Sequence, residues 1–268
     1  MSKASLVIEG ASLSLGGRRL WENLDLKVDS GEFVAIIGPN GSGKTSLLRA
    51  ILGLLPLDRG RVLVEGESAR RGHPAIGYVP QHRSFAPDLP LRGRDLVALG
   101  LDGNRYGFLG GRSRANRELV DEALAAVDAL DYADQGLGRL SGGQQQRLRI
   151  AEAIVGNPRL LLFDEPLASL DMQSVQAISS LIGRLSRQRE IAVLFVTHDV
   201  NPVLGVIDRV LCIARGGWAV GTPAEVLTRE RLSSLYETPV EVLSRGSDLV
   251  IVGADIGGHE HPEGGTRP

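Results

Sequence analysis

Five short stretches carry residue types whose spacing suits chemistry on a phosphate. Residues 38–45 read GPNGSGKT and fit G-x-x-x-x-G-K-[ST]. Glycines at that spacing let backbone N–H groups wrap an anion, Lys44 can reach the β and γ oxygens of a nucleotide, and Thr45 offers a hydroxyl to Mg²⁺. Gly38, Pro39, Asn40, Gly41, Ser42, Gly43, Lys44, Thr45 and Ser46 are the candidate phosphate-binding set. In RLLLFDEP two acids follow an apolar run. Asp164 suits the Mg²⁺ hydration shell, and Glu165 suits orienting or deprotonating an attacking water. Gln81 in YVPQ and His198 in VTHD each end an apparent strand, and each alone is a weak signal. At one sheet edge, Gln81 can ligate Mg²⁺ and sense a γ-phosphate, while His198 can contact that phosphate and the water. The fifth stretch, LSGGQQQR at 140–147, places Ser141, Gly142, Gly143 and Gln144 before a helix. Such a turn also suits an anion, so one chain carries two phosphate-facing elements.

The elements that must position these groups are legible as alternating strands and helices. The opening LVIEGASLSLGGRRLWENLDLKVDSGEFVAIIG alternates apolar runs with turn residues, which predicts several strands. GEFVAIIG reads as a buried strand before the glycine loop, and TSLLRAILGLL as the helix after it, the context a phosphate loop requires. RVLVEG and AIGYVPQ predict two short strands. From His82 to about Gly138 the texture changes to a Pro-, Gly- and Arg-rich stretch and then a helix. Leu119, Ala123, Leu124, Val127 and Leu130 recur there at three-and-four spacing and predict one inward face. A helix follows LSGGQQQR to about Val155. RLLLFDEP predicts a buried strand, and Met172 to Gln188 a helix with Val175, Ile178, Leu181, Ile182 and Leu185 inward. IAVLFVTHD predicts a further strand, and RVLCIARGG with WAVGT a terminal hairpin. Alternation of this kind implies a mainly parallel sheet covered on both faces, with ligands gathered at the strand C-terminal ends.

Composition narrows the classes. The 268 residues are 43% apolar and 23% charged, with a formal net charge of −2, which argues against a nucleic-acid-seeking surface. No stretch approaches the roughly 18 apolar residues of a membrane span, and Glu9 interrupts the start before a secretory signal could form. The single cysteine, Cys212, lies in the apolar run RVLCIA and reads as a buried thiol of a reducing compartment. Only three of the 30 basic residues are lysines, and one of them stands inside the glycine loop.

LSGGQ would arise by chance in about one in a few thousand chains of this length at average composition. With GPNGSGKT, YVPQ, FDEP and VTHD, it makes the chain resemble the nucleotide-binding subunit of ATP-binding cassette (ABC) transporters over about residues 5 to 243. The resemblance implies a P-loop NTPase α/β fold: a core with a mainly parallel sheet, an N-terminal antiparallel β subdomain and an inserted helical subdomain. It implies an ATPase domain at 1–243, with a RecA-like core and the helical subdomain at about 82–156. Residues 244–268, rich in Gly, Pro and charge, are expected to form an extension with a disordered tail. In that family two cassettes pair head to tail. By resemblance, Ser141, Gly142, Gly143 and Gln144 act in trans on the ATP held by a second copy's glycine loop, and Ser169, Leu170 and Asp171 couple the two sites. The implied cofactors are ATP and Mg²⁺, with Thr45, Gln81 and Asp164 around the metal and Glu165, His198, Lys44 and Gln81 as the catalytic set.

Where the family stacks adenine on an aromatic residue, this chain has Leu15. Trp21 is near in sequence, with nothing to show that it substitutes. The implied partners are integral-membrane permease subunits, docking after Gln81 at Phe85, Leu89, Pro90 and Leu91. A second cassette, with homodimer or paralogue left open, and indirectly an extracytoplasmic solute-binding protein complete the set, with no nucleic acid. The implied place is peripheral, on the cytoplasmic face of the membrane. The spacing of YVPQHRSFAPDLPLRGRDLVALG, THDVNPVL and the late GTPAEVLTRERLSSLYETPVEVL is similar to the zinc, manganese and iron importer branch. Ferric-siderophore and cobalamin cassettes carry a similar late stretch and stay as the alternative. An exporter ATPase, or a soluble cassette protein acting on DNA or ribosomes, is a further one. His259 and His261 in the tail invite a metal-site reading.

Overall fold

The protein is described by a computed structural model that covers residues 4–81, 85–86, 89–102, 114–245 and 248–252. The start forms a four-stranded antiparallel sheet in the order β2-β1-β4-β5, from β1 (Ala4–Leu15), β2 (Arg18–Asp29), β4 (Arg59–Val64) and β5 (Glu67–Ser68). A six-stranded sheet, in the order β10-β9-β3-β8-β7-β6, holds β3 (Phe33–Ile37), β6 (Ile76–Val79), β7 (Leu160–Asp164), β8 (Ala192–Val196), β9 (Arg209–Ala214) and β10 (Gly217–Gly221). All its pairings are parallel except the β9–β10 hairpin. The central strands are buried on both faces. Alternate residues divide between two cores: Phe33, Ala35, Leu161, Phe163, Val193 and Phe195 on one side, Val34, Ile36, Leu160, Leu162, Leu194 and Val196 on the other. This is why those strands read as continuous apolar runs.

The first core packs against the helical segment, α2 (Gly93–Asp102), α3 (Arg114–Ala126) and α4 (Gly142–Ile154), and against α5 (Met172–Gln188). The second packs against the antiparallel sheet and α1 (Lys44–Ile51). Helix α1 is shorter than TSLLRAILGLL suggested. Gly53, at φ 67°, turns left-handed, with its N–H on Ala50 O and the Leu54 N–H on Arg49 O, a Schellman stop that leaves Leu54 outside. The stripe on α3 is also corrected. Ala123, Leu124 and Val127 are buried with Val120, but the helix ends at Ala126, Asp128 turns to φ 56° and Leu130 emerges 46% exposed. A periodicity projected past a helix end no longer tracks a face.

Beyond β10 come α6 (Pro223–Val226) and α7 (Arg229–Tyr236), then an antiparallel hairpin of β11 (Glu241–Arg245) and β12 (Asp248–Val252). This hairpin crosses the boundary drawn at 243. The stretch 253–268, with His259 and His261, lies outside the described residues, as do residues 82–84, 87–88 and 103–113 of the Gly- and Arg-rich stretch.

Candidate functional site: the glycine loop and its sheet edge

The C-terminal ends of β3, β6, β7 and β8 bring the predicted groups together. After β3 the chain turns through Gly38 (φ 148°), Gly41 (φ 73°) and Gly43 (φ 102°) into the N-terminus of α1. A Cβ on Gly38 would lie 2.0 Å from the Ile213 carbonyl oxygen, and one on Gly43 would lie 2.6 Å from the Trp21 ring. The loop is thus a cradle that only glycine can line at these two positions. Lys44 is buried, and its Nζ donates to Gly38 O (2.7 Å) and Pro39 O (3.1 Å), folding back over its own loop. Ser42 Oγ is buried without a partner, an unspent donor inside the cradle. These features fit a polyphosphate: backbone N–H groups at a helix start, a cation and an orphaned hydroxyl.

Residue parity on β7 puts Asp164 on the same side as Leu160 and Leu162, toward α1. Its Oδ1 accepts from Thr45 Oγ1 at 3.1 Å. Hydroxyl and carboxylate form an all-oxygen pair that suits Mg²⁺, which is held by one or two carboxylates beside substrate phosphates. Glu165 follows at φ 50°, leaving the strand direction, and both its oxygens are engaged. Gln81 Nε2 donates to Oε2 at 2.9 Å, and His198 Nε2 lies 2.6 Å from Oε1. Such a contact sets the Nε2–H tautomer in the neutral ring and leaves Nδ1 as an acceptor, buried without a partner. Burial holds the Lys44 ammonium below its ordinary value, against the pull of Glu165 and Asp164. Burial likewise raises the Asp164 carboxyl, with the Thr45 hydrogen bond acting in the opposite direction and Glu165 adding to the rise. A site that desolvates both charges is relieved by a ligand carrying their complements.

A cavity of about 370 Å³ opens over the loop, lined by Leu15, Leu20, Asn40, Gly41, Gly43, Lys44, Thr45, Ser46 and Glu165. Leu15 therefore stands where a base could lie, while Trp21 is 0% exposed beneath Gly43 and cannot take that role.

The LSGGQ segment is elsewhere. Ser141 is the N-cap of α4 and closes a capping box with Gln144: the Gln144 N–H donates to Ser141 Oγ (3.3 Å) and the Ser141 N–H to Gln144 Oε1 (2.9 Å). Gln145, which sequence reasoning passed over, donates its buried Nε2 to Leu137 O and Leu140 O and so holds the turn before the helix. A Cβ on Gly142 would lie 3.3 Å from Leu170, and one on Gly143 would lie 2.7 Å from Ser174 Oγ. Ser174 is itself held by Asp171, the N-cap of α5, so LSGGQ and the 169–171 turn are one packed unit. A separate cavity of about 220 Å³, lined by Ser141, Gly143, Gln144 and Arg147 among others, shares no described lining residue with the one over the glycine loop. Among the described residues, the cavity at the glycine loop and the cavity at LSGGQ are thus distinct.

Fold and site define a P-loop nucleotide hydrolase with a second, separate anion-facing helix start. Residues 21–168 match the ABC transporter family. The chain is 36% identical over 231 residues to the zinc import ATP-binding protein ZnuC of Roseobacter denitrificans, covering 86% of this chain and 84% of that one. It is 34% identical over 229 residues to the manganese transport system ATP-binding protein MntB of Bacillus subtilis, covering 85% and 91%. Among solved structures it is similar to an inward-facing metal-chelate type ABC transporter, with TM-score 0.79, 25% identity, and 93% and 97% of the two chains covered. The chain belongs to the ABC transporter family. It is an ATP-binding cassette and an ATPase.

Proposed function

We propose that this ATPase powers an importer for a divalent metal, zinc or manganese. The observation that carries this reading is the near full-length similarity to ZnuC and MntB, whose names state those cargoes. The metal-chelate transporter supports a second reading, uptake of a chelated metal such as a ferric siderophore or cobalamin.

In the mechanism, Lys44, Ser42 Oγ and backbone N–H groups of residues 40–46 hold the phosphates of ATP. Thr45, Asp164 and Gln81 would hold Mg²⁺, which would supply charge to neutralise that developing on the phosphates. Glu165 orients or deprotonates the attacking water. Gln81 and His198 take one acceptor site on each of its oxygens and leave others for the water. His198 can donate to the γ-phosphate only through the Nε2–H that rests on Glu165 Oε1, so ATP must draw that nitrogen off the carboxylate. Ser141, Gly142, Gly143 and Gln144 of a second copy close the site from the opposite side. The separation of the two cavities supports that trans arrangement, and the packed contact between LSGGQ and residues 169–171 supports communication between the paired sites.

Among the described residues no helix is long and apolar enough to cross a membrane. The relatives are named as the ATP-binding proteins of import and transport systems, which supports a pore in separate permease subunits, with the chain peripheral to the cytoplasmic face and an extracytoplasmic solute-binding protein delivering cargo. A cavity of about 400 Å³ lined by Leu89, Pro90, Leu91, Arg92, Asp134, Gly136 and Arg139 is the docking groove on the helical segment. Phe85, expected at the same docking surface, is partly buried. It packs against the core, with the Arg149 guanidinium 4.2 Å from its ring centroid, and so ties the segment after Gln81 to α4. The 1–243 domain, with its helical part at about 82–156, is the unit that performs this work.

Elemental analysis of metal-limited source cells carrying wild-type or Lys44→Ala protein tests the reading. A selective fall in cell zinc or manganese is expected. An unchanged metal profile, with redundant importers removed, overturns it.

A further inference from the structure

We infer that the C-terminal hairpin Glu241–Val252 is a positioning element for the nucleotide site, acting through Asn201 on the loop that carries His198. The inference rests on the role read for His198 above.

The hairpin has one apolar side. Val242, Leu249 and Ile251 pack partly buried against the core beneath the main sheet. In its register Leu249 faces Ser244. Among the described residues no strand pairs with the outer edge of β12, and at Leu249 a side chain takes the strand's place. Asn201 Oδ1 accepts from the Leu249 N–H at 2.7 Å, and Asn201 Nδ2 donates to the Leu249 carbonyl at 2.9 Å. One amide thus reproduces both hydrogen bonds of a strand neighbour. The same amide faces the catalytic side. Asn201 Nδ2 and the Asn201 N–H both donate to Asp199 Oδ1, at 2.8 and 3.0 Å. Thr197 Oγ1 then donates to the Asp199 carbonyl (2.6 Å) and accepts from the Asp199 N–H (3.2 Å). His198 sits between Thr197 and Asp199. From β12 to the residues on either side of His198 the chain of hydrogen bonds is unbroken.

Only a fixed loop can keep the His198 ring on Glu165 Oε1: the Thr197 N–H on Ile36 O and the buried Val200 anchor its two ends, and the Asn201 amide adds the hold on Asp199 between them. After β8 it runs Thr197, His198, Asp199 and Val200 with no regular structure, and the ring itself is more than a third exposed. The hairpin is held in turn at its base, where Ser233 Oγ on α7 accepts from the Val240 N–H at 2.9 Å. A loop clamped at both levels presents His198 in one place. An unclamped loop lets it wander, and a misplacement of about 1 Å at a reacting centre can cost on the order of a hundredfold in rate.

Two variants attack this contact from opposite sides, Asn201→Leu losing both bonds and Leu249→Pro the one its N–H donates. Asn201→Leu removes the amide from the loop. Leu249→Pro removes the strand N–H, at an outer-edge position where proline is tolerated and far from the phosphates. Steady-state ATPase assays of the purified full chain with Mg²⁺, beside ATP titrations, are the measurement. Both variants are expected to lower kcat on the order of tenfold, with KM and ATP affinity within twofold of wild type. Adding either change to His198→Ala should cause no further loss, because the clamp acts only through that ring. If His198→Ala is slow but both clamp variants run at the wild-type rate, the clamp inference is overturned. Losses that multiply in the double variants, or ATP affinity falling in step with kcat, also overturn it, since general loosening behaves that way. If His198→Ala itself turns over normally, the site reading fails instead. Should Asn201→Leu not fold, Leu249→Pro carries the same comparison.

Discussion

Leu15→Tyr should tighten ATP binding. Leu15 is the last residue of β1, paired with Arg18 across a turn in which Gly16 and Gly17 have φ of 58° and 78°. It is 43% exposed on the wall of the cavity over the glycine loop. A tyrosine there displaces no core neighbour, and aromatic residues suit a strand end. Leucine offers a base only its aliphatic surface, whereas a ring adds stacking of about 0.5–1.5 kcal/mol, or roughly 2- to 13-fold in Kd. Trp21 cannot already supply that stacking from its place under Gly43. Calorimetric titration in a Glu165→Gln background, where turnover is suppressed, measures the gain directly. Titration with inorganic tripolyphosphate separates base from phosphate, and its affinity should not change. No gain for ATP, or an equal gain for tripolyphosphate, would refute the placement of adenine over Leu15.

Glu165→Gln itself keeps the side chain's shape. Gln81 can flip its amide to pair with it, so ATP binding and fold should survive while turnover falls about 10²- to 10⁴-fold; size-exclusion chromatography with ATP should show an accumulated dimer, and normal turnover would sink the assignment of Glu165. Gly43→Ala forces a Cβ to within 2.6 Å of the Trp21 ring at φ 102°. It should cost about 1–3 kcal/mol in denaturant unfolding and abolish the thermal shift with ATP, and a stable, ATP-responsive variant would contradict the cradle. Burial raises the Asp164 carboxyl, so the folded state favours its protonated form. The stability this contributes is present below the ordinary aspartate value and lost as pH rises through the raised one. Asp164→Asn can still accept from Thr45. With no ligand its Tm at neutral pH should equal or exceed that of wild type, with a flatter pH profile above the aspartate range and no Mg²⁺-dependent part of the ATP shift. A lower Tm with that Mg²⁺ response intact would overturn the reasoning.

The amino-acid sequence by itself determined the chemistry of the nucleotide site. GPNGSGKT, the FDEP acids, Gln81 and His198 each end a strand whose apolar run is readable, and strands of a parallel sheet deliver their C-terminal ends to one edge. The family was legible in LSGGQ, because the whole motif lies within a span of five residues. The tertiary structure alone decided the contacts between distant residues. It put Trp21 under Gly43, turned Phe85 inward beneath Arg149, set Gly143 against Ser174, and let Leu130 out where α3 had already stopped. It also joined Asn201 to Leu249 across 48 residues, making a stretch that read as tail into part of the site's support. Local spacing encodes which groups one turn or strand end presents. Which side chain fills the space behind them depends on how separate segments pack, and a lone asparagine before a proline carries no mark of its partner.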